Sequence, residues 1–187
     1  KKDQVVFYRH EDCHKAWGFF SMQKKEKEAL VLTIEGGGDD SSATISTVNS
    51  KCKINEHWSS NEVMAGRLYR YVTLILGMKP GQHEYKVMGL APYGTEFHGK
   101  KTLEFFRQIH SFQEQEIINN KIIKDIYFSV KDALEGERFD GIAWGLQTWL
   151  EEFLSEWVKN SIDFHKLDKI VLSGGVAQNI KACKTIS

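Results

Sequence analysis

The chain has 187 residues, with 25 basic and 25 acidic side chains and a formal net charge of zero, enough for one good-sized domain or two small subdomains with real cores. No basic surface dominates, so neither nucleic acid nor an anionic membrane is an expected partner, and no apolar run is long enough to span a bilayer. Three cysteines, Cys13, Cys52 and Cys183, are odd in number and widely spaced, which argues against a disulfide scaffold and, with no signal-peptide pattern after Lys1-Lys2, for a reducing cytoplasm.

Val5-Val6-Phe7-Tyr8 is a short apolar run of strand character. A helix carrying His10 and His14 follows, with Lys15 to Met22 as its remainder. Ala29 to Ile34 reads as a buried strand ending in Glu35-Gly36-Gly37-Gly38-Asp39-Asp40. Ala43 to Val48 alternates polar and apolar residues, Asn49-Ser50 turns, and Cys52 to His57 alternates again, predicting an antiparallel pair beside a central strand. From Asn61 the period becomes helical through Val63, Leu68, Tyr71, Val72, Ile75 and Leu76, and Gly77 to Gly81 stops it.

Glu84 to Gly94, punctuated by Gly89, Pro92 and Gly94, reads as a loop or broken helix. The polar stretch 113–136 is expected to be an inserted arm with its own helix or strands. Phe139 to Val158 is a strongly amphipathic helix. Lys169 to Ser173 is a buried strand, Gly174-Gly175 its turn, and Val176 to Lys184 the start of a helix. The expected class is α/β, with residues 1–60 forming the remainder of one subdomain and 61–187 a second, incomplete at its carboxy terminus. The chain therefore reads as a fragment of a larger domain, and unpaired strand edges in such a fragment favour self-association into a homo-oligomer.

His10 and His14, four residues apart, fall on one helical face where they can share a metal. Cys13 between them is either a third ligand or a small buried side chain. In the Glu35 to Asp40 hairpin, the glycines let backbone N–H groups face a phosphate, while the carboxylates suit a metal, amine or hydroxyl; a flexible acidic tip is the alternative. In Ser173-Gly174-Gly175-Val176-Ala177-Gln178-Asn179, paired glycines let a planar ring or ribose approach the backbone, and Asn179 adds a donor and an acceptor. Tight strand–helix packing is the competing reading there. Gln147 points at the same cleft or is a solvated helix residue. Trp144, Trp149 and Trp157 follow apolar helical spacing and read as packing residues.

The segment Glu84-Tyr85-Lys86-Val87-Met88-Gly89-Leu90-Ala91-Pro92-Tyr93-Gly94 closely resembles the EYKVMGLAPYG signature of the NodU-type carbamoyltransferases. His10 to His14 is similar to that family's HHxxH segment, Thr33 to Asp39 to its TxDGxGD hairpin, Gly66 to Tyr69 to its SxGxLYxxxT helix, and Ser173 to Asn179 to its GGVxxN turn. The matches run in family order over nearly the whole chain.

The resemblance implies part of an actin-like ATPase (ribonuclease-H-like) fold shared with the tRNA threonylcarbamoyladenosine enzymes. It implies an O-carbamoyltransferase in which carbamoyl-adenylate, made from ATP and carbamoyl phosphate in a separate YrdC-like domain, is attacked by a hydroxyl of a small-molecule acceptor. It makes His10 and His14 ligands of a divalent metal, iron in the family, with a third ligand, an aspartate, beyond this chain. Gly36, Gly37 and Gly38 would approach phosphate, Gly174, Gly175 and Asn179 the adenosine, and Lys86 with Gly89 the wall between subdomains. Two departures matter: Glu11 stands for the second histidine of HHxxH, and Glu35 for the first aspartate of DGxGD, where a longer carboxylate would orient the acceptor. The isolated chain is expected to be inactive. An actin-like ATP-binding module acting as a hydrolase or regulatory partner is the alternative function.

Overall fold

The computed structural model describes residues 5–22, 27–120 and 123–187. A four-stranded sheet in the spatial order Ile54–Ser60, Ala43–Asn49, Glu28–Ile34, Ile170–Ser173 lies at its centre. β1 (Glu28–Ile34) pairs antiparallel with β2 (Ala43–Asn49) and parallel with β6 (Ile170–Ser173), so that Leu32 stands between Ile45 and Leu172. β3 (Ile54–Ser60) forms the far edge, with most of its side chains exposed. The apolar run of β1 has a simple cause: both of its faces are covered. Leu30, Leu32 and Ile34 belong to the main core, whereas Ala29 and Val31 pack with Val48 and with Phe19 of helix α1 (His10–Phe20) on the other face.

On the main-core face lie α2 (Ala65–Ile75), α3 (Glu84–Leu90), α4 (Glu96–Arg107), α5 (Ile126–Leu134) and the long α6 (Phe139–His165). α4 and α6 approach closely because small residues meet there: a Cβ on Gly145 would lie 2.8 Å from the carbonyl oxygen of Gly99. Leu146, Leu150, Leu154 and Trp157 of α6 are fully buried, consistent with the amphipathic pattern and the packing role read for its tryptophans. Trp149 is also buried, while Trp144 is half-buried. The stretch 113–136 holds the end of a hairpin, β4 (His110–Gln113) with β5 (Glu116–Asn119), and α5. Its Ile117, Val130 and Leu134 join the main core.

Two expectations about elements are corrected. Val5 to Tyr8 forms no strand: among the described residues nothing pairs with it, and all four side chains are exposed, Phe7 at 90%. An apolar run without a ladder partner has no outlet for its backbone groups except water. The continuous helix expected from Val176 is broken into a 3₁₀ turn, Val176–Gln178, and α7 (Ile180–Ile186). Asn179 leaves helical geometry at ψ 93°, and its side chain accepts the N–H of Ala182 at 3.0 Å, capping α7. Among the described residues all three cysteines are free, and no helix is long and apolar enough to cross a membrane.

Candidate metal centre and adjoining cleft

The loop from β1 to β2 is bound onto the first turn of α1. Asp39 Oδ2 accepts the N–H of His10 at 3.1 Å, taking over the capping that Arg9 does not supply. Glu11, 1% exposed, accepts long bonds from the amides of Asp40 (3.4 Å) and Ser41 (3.3 Å). Burial raises the Glu11 carboxyl, but amide hydrogen bonds from Glu11, Ser41 and Asp40 outweigh it and hold the group below its ordinary value. Gly38 allows this closeness, since a Cβ there would run into the Glu11 carboxylate and the Ser41 carbonyl. Glu11, where the family motif has a histidine, thus fastens the glycine loop.

This fastening brings Glu35, at the end of β1, to the two histidines. His14 Nε2 lies 2.7 Å from Glu35 Oε1 and 3.0 Å from His10 Nε2, and His10 Nε2 is 3.7 Å from the same carboxylate oxygen. One donor atom from each residue lies within 4.8 Å of the others. Two imidazoles and one carboxylate are a donor set suited to first-row divalent metals, iron(II) among them. Ligand bonds of about 2.1 Å at right angles separate two donor atoms by about 3.0 Å, and the observed spacings bracket that value.

Cys13 is exposed and stands outside this group, so it is neither a ligand nor the buried side chain expected. One residue from His14 along a helix is a rotation of about 100°, which turns it away from the shared face.

Gly175 donates its N–H to Glu35 Oε1 at 2.8 Å, and a Cβ on it would lie 2.8 Å from Oε2. Gly174 has φ +101° and sits against the carbonyl of Ile34, a conformation and an approach that call for glycine. The turn after β6 therefore holds the carboxylate from one side. On the other side opens a cleft of about 340 Å³, lined by Glu35, Gly36, Gly66, Tyr69, Arg70, Tyr85, Met88, Gly175 and Asn179 among others. Gly36 and Gly66 meet backbone to backbone: a Cβ on Gly66 would lie 2.6 Å from Gly36 Cα.

The back of the cleft is a buried polar network. Gln147, 3% exposed, accepts from the Tyr69 hydroxyl (2.9 Å) and the Asn179 amide (2.8 Å), and donates to Asn179 Oδ1 (3.0 Å) and Glu151 Oε1 (2.7 Å). The solvated alternative for Gln147 is thereby corrected; it ties α2, α6 and α7 together. Burial drives the Tyr69 phenol well above its ordinary value, keeping it a neutral donor.

Gly37 and Gly89 have open space where a side chain would go. Lys86 is exposed, its ammonium 3.2 Å from His83 Nε2 and 5.9 Å from the centre of the Tyr85 ring, and it is not part of the cleft lining. Reading the motifs alone missed Tyr69, Arg70, Tyr85 and Met88 as cleft residues, although Tyr69, Tyr85 and Met88 lie inside the quoted motifs. Arg70 makes no ion pair among the described residues, leaving its guanidinium available at the cleft.

The family described as Carbamoyltransferase N-terminus matches residues 1–187, and the chain belongs to that family. It is 30% identical over 181 residues to nodulation protein NolNO of Sinorhizobium fredii, covering 94% of this chain and 26% of that protein. It is 32% identical over 160 residues to the uncharacterized protein MJ1051 of Methanocaldococcus jannaschii, covering 83% of this chain and 31% of the relative. The uncharacterized protein MJ1058 of the same organism is 26% identical over 199 residues. The chain thus spans about a third or less of the length of the curated relatives it matches.

Proposed function

We propose that this chain supplies the metal- and nucleotide-binding part of an O-carbamoyltransferase of the NodU type, built on an actin-like frame. Family membership supports carbamoyl transfer. The observation that carries the finer reading is the convergence of His10, His14 and Glu35 at the rim of the Gly36–Tyr69–Gly175 cleft. In this reading His10, His14 and Glu35 would hold a divalent metal, iron by resemblance, which would supply positive charge for the phosphoryl group of carbamoyl-adenylate.

Gly36, which lines the cleft, offers its backbone to the phosphate and Arg70 adds a guanidinium; of the other two glycines expected there, Gly37 lies outside the cleft lining and Gly38 lines a separate cavity against Glu11 and Ser41. The adenosine takes the side of the cleft bounded by Gly174, Gly175 and Asn179. Glu35 is assigned to the metal rather than to the acceptor, since both histidines face its carboxylate. Lys86 and Gly89, on the helix that sends Tyr85 and Met88 into the cleft, would meet ligand or protein from its rim.

The transfer forms a bond from an acceptor hydroxyl oxygen to the carbamoyl carbon and breaks the bond from that carbon to AMP; the hydroxyl proton is released. In a YrdC-like domain expected in the same protein, carbamoyl phosphate would lose inorganic phosphate to give carbamate, whose oxygen would attack the α-phosphorus of ATP and release pyrophosphate, giving carbamoyl-adenylate. The experiment is incubation of the full-length protein with ATP, carbamoyl phosphate and a panel of hydroxyl compounds. Carbamoylated product with stoichiometric AMP supports the reading. Nucleotide hydrolysis without carbamoyl product, whatever hydroxyl compound is added, would favour a hydrolase instead.

A further inference from the structure

The buried face of α1 carries a charge cluster that the cleft does not use. Lys15 follows His14 in sequence and is fully buried, with its ammonium 2.6 Å from Glu56 Oε2 of β3 and 3.1 Å from Asp12 Oδ1. Arg9 reaches the same Glu56 oxygen at 2.8 Å and lies 3.5 Å from Asp12. Two cations thus balance two carboxylates, and three of the four groups stand on or beside the first turns of α1. Burial raises the Glu56 carboxyl, but the hydrogen bonds and charges of Lys15 and Arg9 outweigh it and hold the group below its ordinary value.

Stability alone is a weak reason for a buried ion pair, since an apolar pair of similar volume commonly serves a fold as well. The place of this pair on the helix has a second consequence. Glu11, Lys15, Gly18 and Phe19 form the buried face of α1, and His10 and His14 immediately precede Glu11 and Lys15, a rotation of about 100° away. Whatever fixes the roll of the helix therefore fixes both rings. The backbone ties of α1 lie near its axis: Asp39 takes the His10 N–H, and Ser173 Oγ donates to the His14 carbonyl at 3.0 Å. They resist sliding more than rolling, and Glu11 grips the glycine loop rather than the sheet. Lys15 reaches a strand at the sheet's edge and acts on a longer lever. With side chains lying about 5–6 Å from the axis, a roll of about 20° would move a ring nitrogen by about 2 Å, as much as a whole ligand bond.

Given the metal reading of His10, His14 and Glu35, we propose that Lys15, anchored on Glu56, is a positioning residue of the metal centre: it fixes the roll of α1 and so presents the Nε2 atoms of His10 and His14 to an ion held with Glu35.

The test uses the full-length protein with Lys15→Met, Glu56→Gln, both together, and the apolar pair Lys15→Met with Glu56→Leu. Iron(II) affinity is expected to fall about tenfold in each single variant, the lower end of what groups supporting metal ligands contribute. Combining Lys15→Met with Glu56→Gln should cost no more than either alone, because both break one contact. The apolar pair should keep the wild-type urea midpoint and still bind iron about tenfold less tightly. His110→Gln, altered away from the metal centre, should hold iron within about twofold of wild type. In the metal-free protein, isotope-labelled at histidine, Lys15→Met should shift the imidazole NMR resonances of His10 and His14 and leave that of His110 in place. Folded variants with wild-type iron affinity, affinity that falls only as the urea midpoint falls, losses that multiply in the double variant, or unmoved His10 and His14 resonances would overturn the proposal. A wild-type protein that holds no iron would sink the metal reading itself, and the ring resonances would then decide the role of Lys15 alone.

Discussion

Replacing Gln147 with leucine tests how the cleft is held open. The two side chains are similar in volume, so the cavity contribution is small, and the cost comes from polar partners left behind. Tyr69 would keep a buried hydroxyl without an acceptor, a penalty of about 1–3 kcal/mol. Asn179 and Glu151 are half-buried and can turn to water, so their lost bonds add about 1 kcal/mol together. The expected loss is therefore about 2–4 kcal/mol, read as a shift of the urea midpoint at constant slope.

The second arm is Tyr69→Phe in the same background, which removes the stranded hydroxyl. The double variant should be less destabilised than the sum of the singles by about 1–2 kcal/mol. Additive costs, or a Gln147→Leu protein as stable as wild type, would refute the idea that this network joins α2 to α7.

Other consequences concern the glycines and one histidine. Gly66→Ala pushes a methyl against Gly36 backbone that cannot yield, and chemical denaturation should show a loss of about 1–3 kcal/mol. Gly175→Val has acceptable backbone geometry, with φ −62°, but its side chain meets Glu35 Oε2; metal and adenylate affinity, measured by calorimetry, should both fall while the fold survives, and unchanged affinity for either would show that the glycine serves packing alone. His110 accepts the Met64 N–H at 3.3 Å, and burial pushes its imidazole down to about 4 from 6.5. The unfolded chain takes up that proton first, so this contribution is complete above about pH 6.5 and is lost as pH falls toward 4, a total of about 3 kcal/mol. In His110→Gln the difference from wild type should shrink across that window; a constant difference would contradict it.

The local pattern carried the elements well and the site only in part. Alternation placed β2 and β3, the continuous apolar run placed β1, and the helical period placed α2 and α6; in β2, however, the polar Thr44 and Ser46 are as buried as Ile45, because both faces of the sheet are covered. Gly77, which ends α2 at φ +75°, is legible for the same local reason. His10 and His14 were readable as a pair because helical spacing alone brings them together. Glu35 was not readable as their neighbour: its position depends on Glu11 and Asp39 pinning the loop to α1, contacts separated by about thirty residues of sequence. Gln147 was open between cleft and solvent for a related reason, since three of its bonds reach α2 and α7 rather than its own helix. Val5 to Tyr8 shows the converse, an apolar run whose local pattern implied a strand that no described neighbour pairs with.

The most direct measurement of the central claim is the metal content of the full-length protein after reconstitution with iron(II) under anaerobic conditions, in wild type, His14→Ala and Glu35→Ala. Losing a ligand should cost more than the 10–100-fold typical of groups that only support ligands, so the account predicts one tightly held ion in wild type and at least about a tenfold fall in affinity in each variant. Folding is checked in parallel by the urea midpoint. Folded variants that retain the wild-type stoichiometry and affinity would contradict the assignment of His10, His14 and Glu35 as a metal centre.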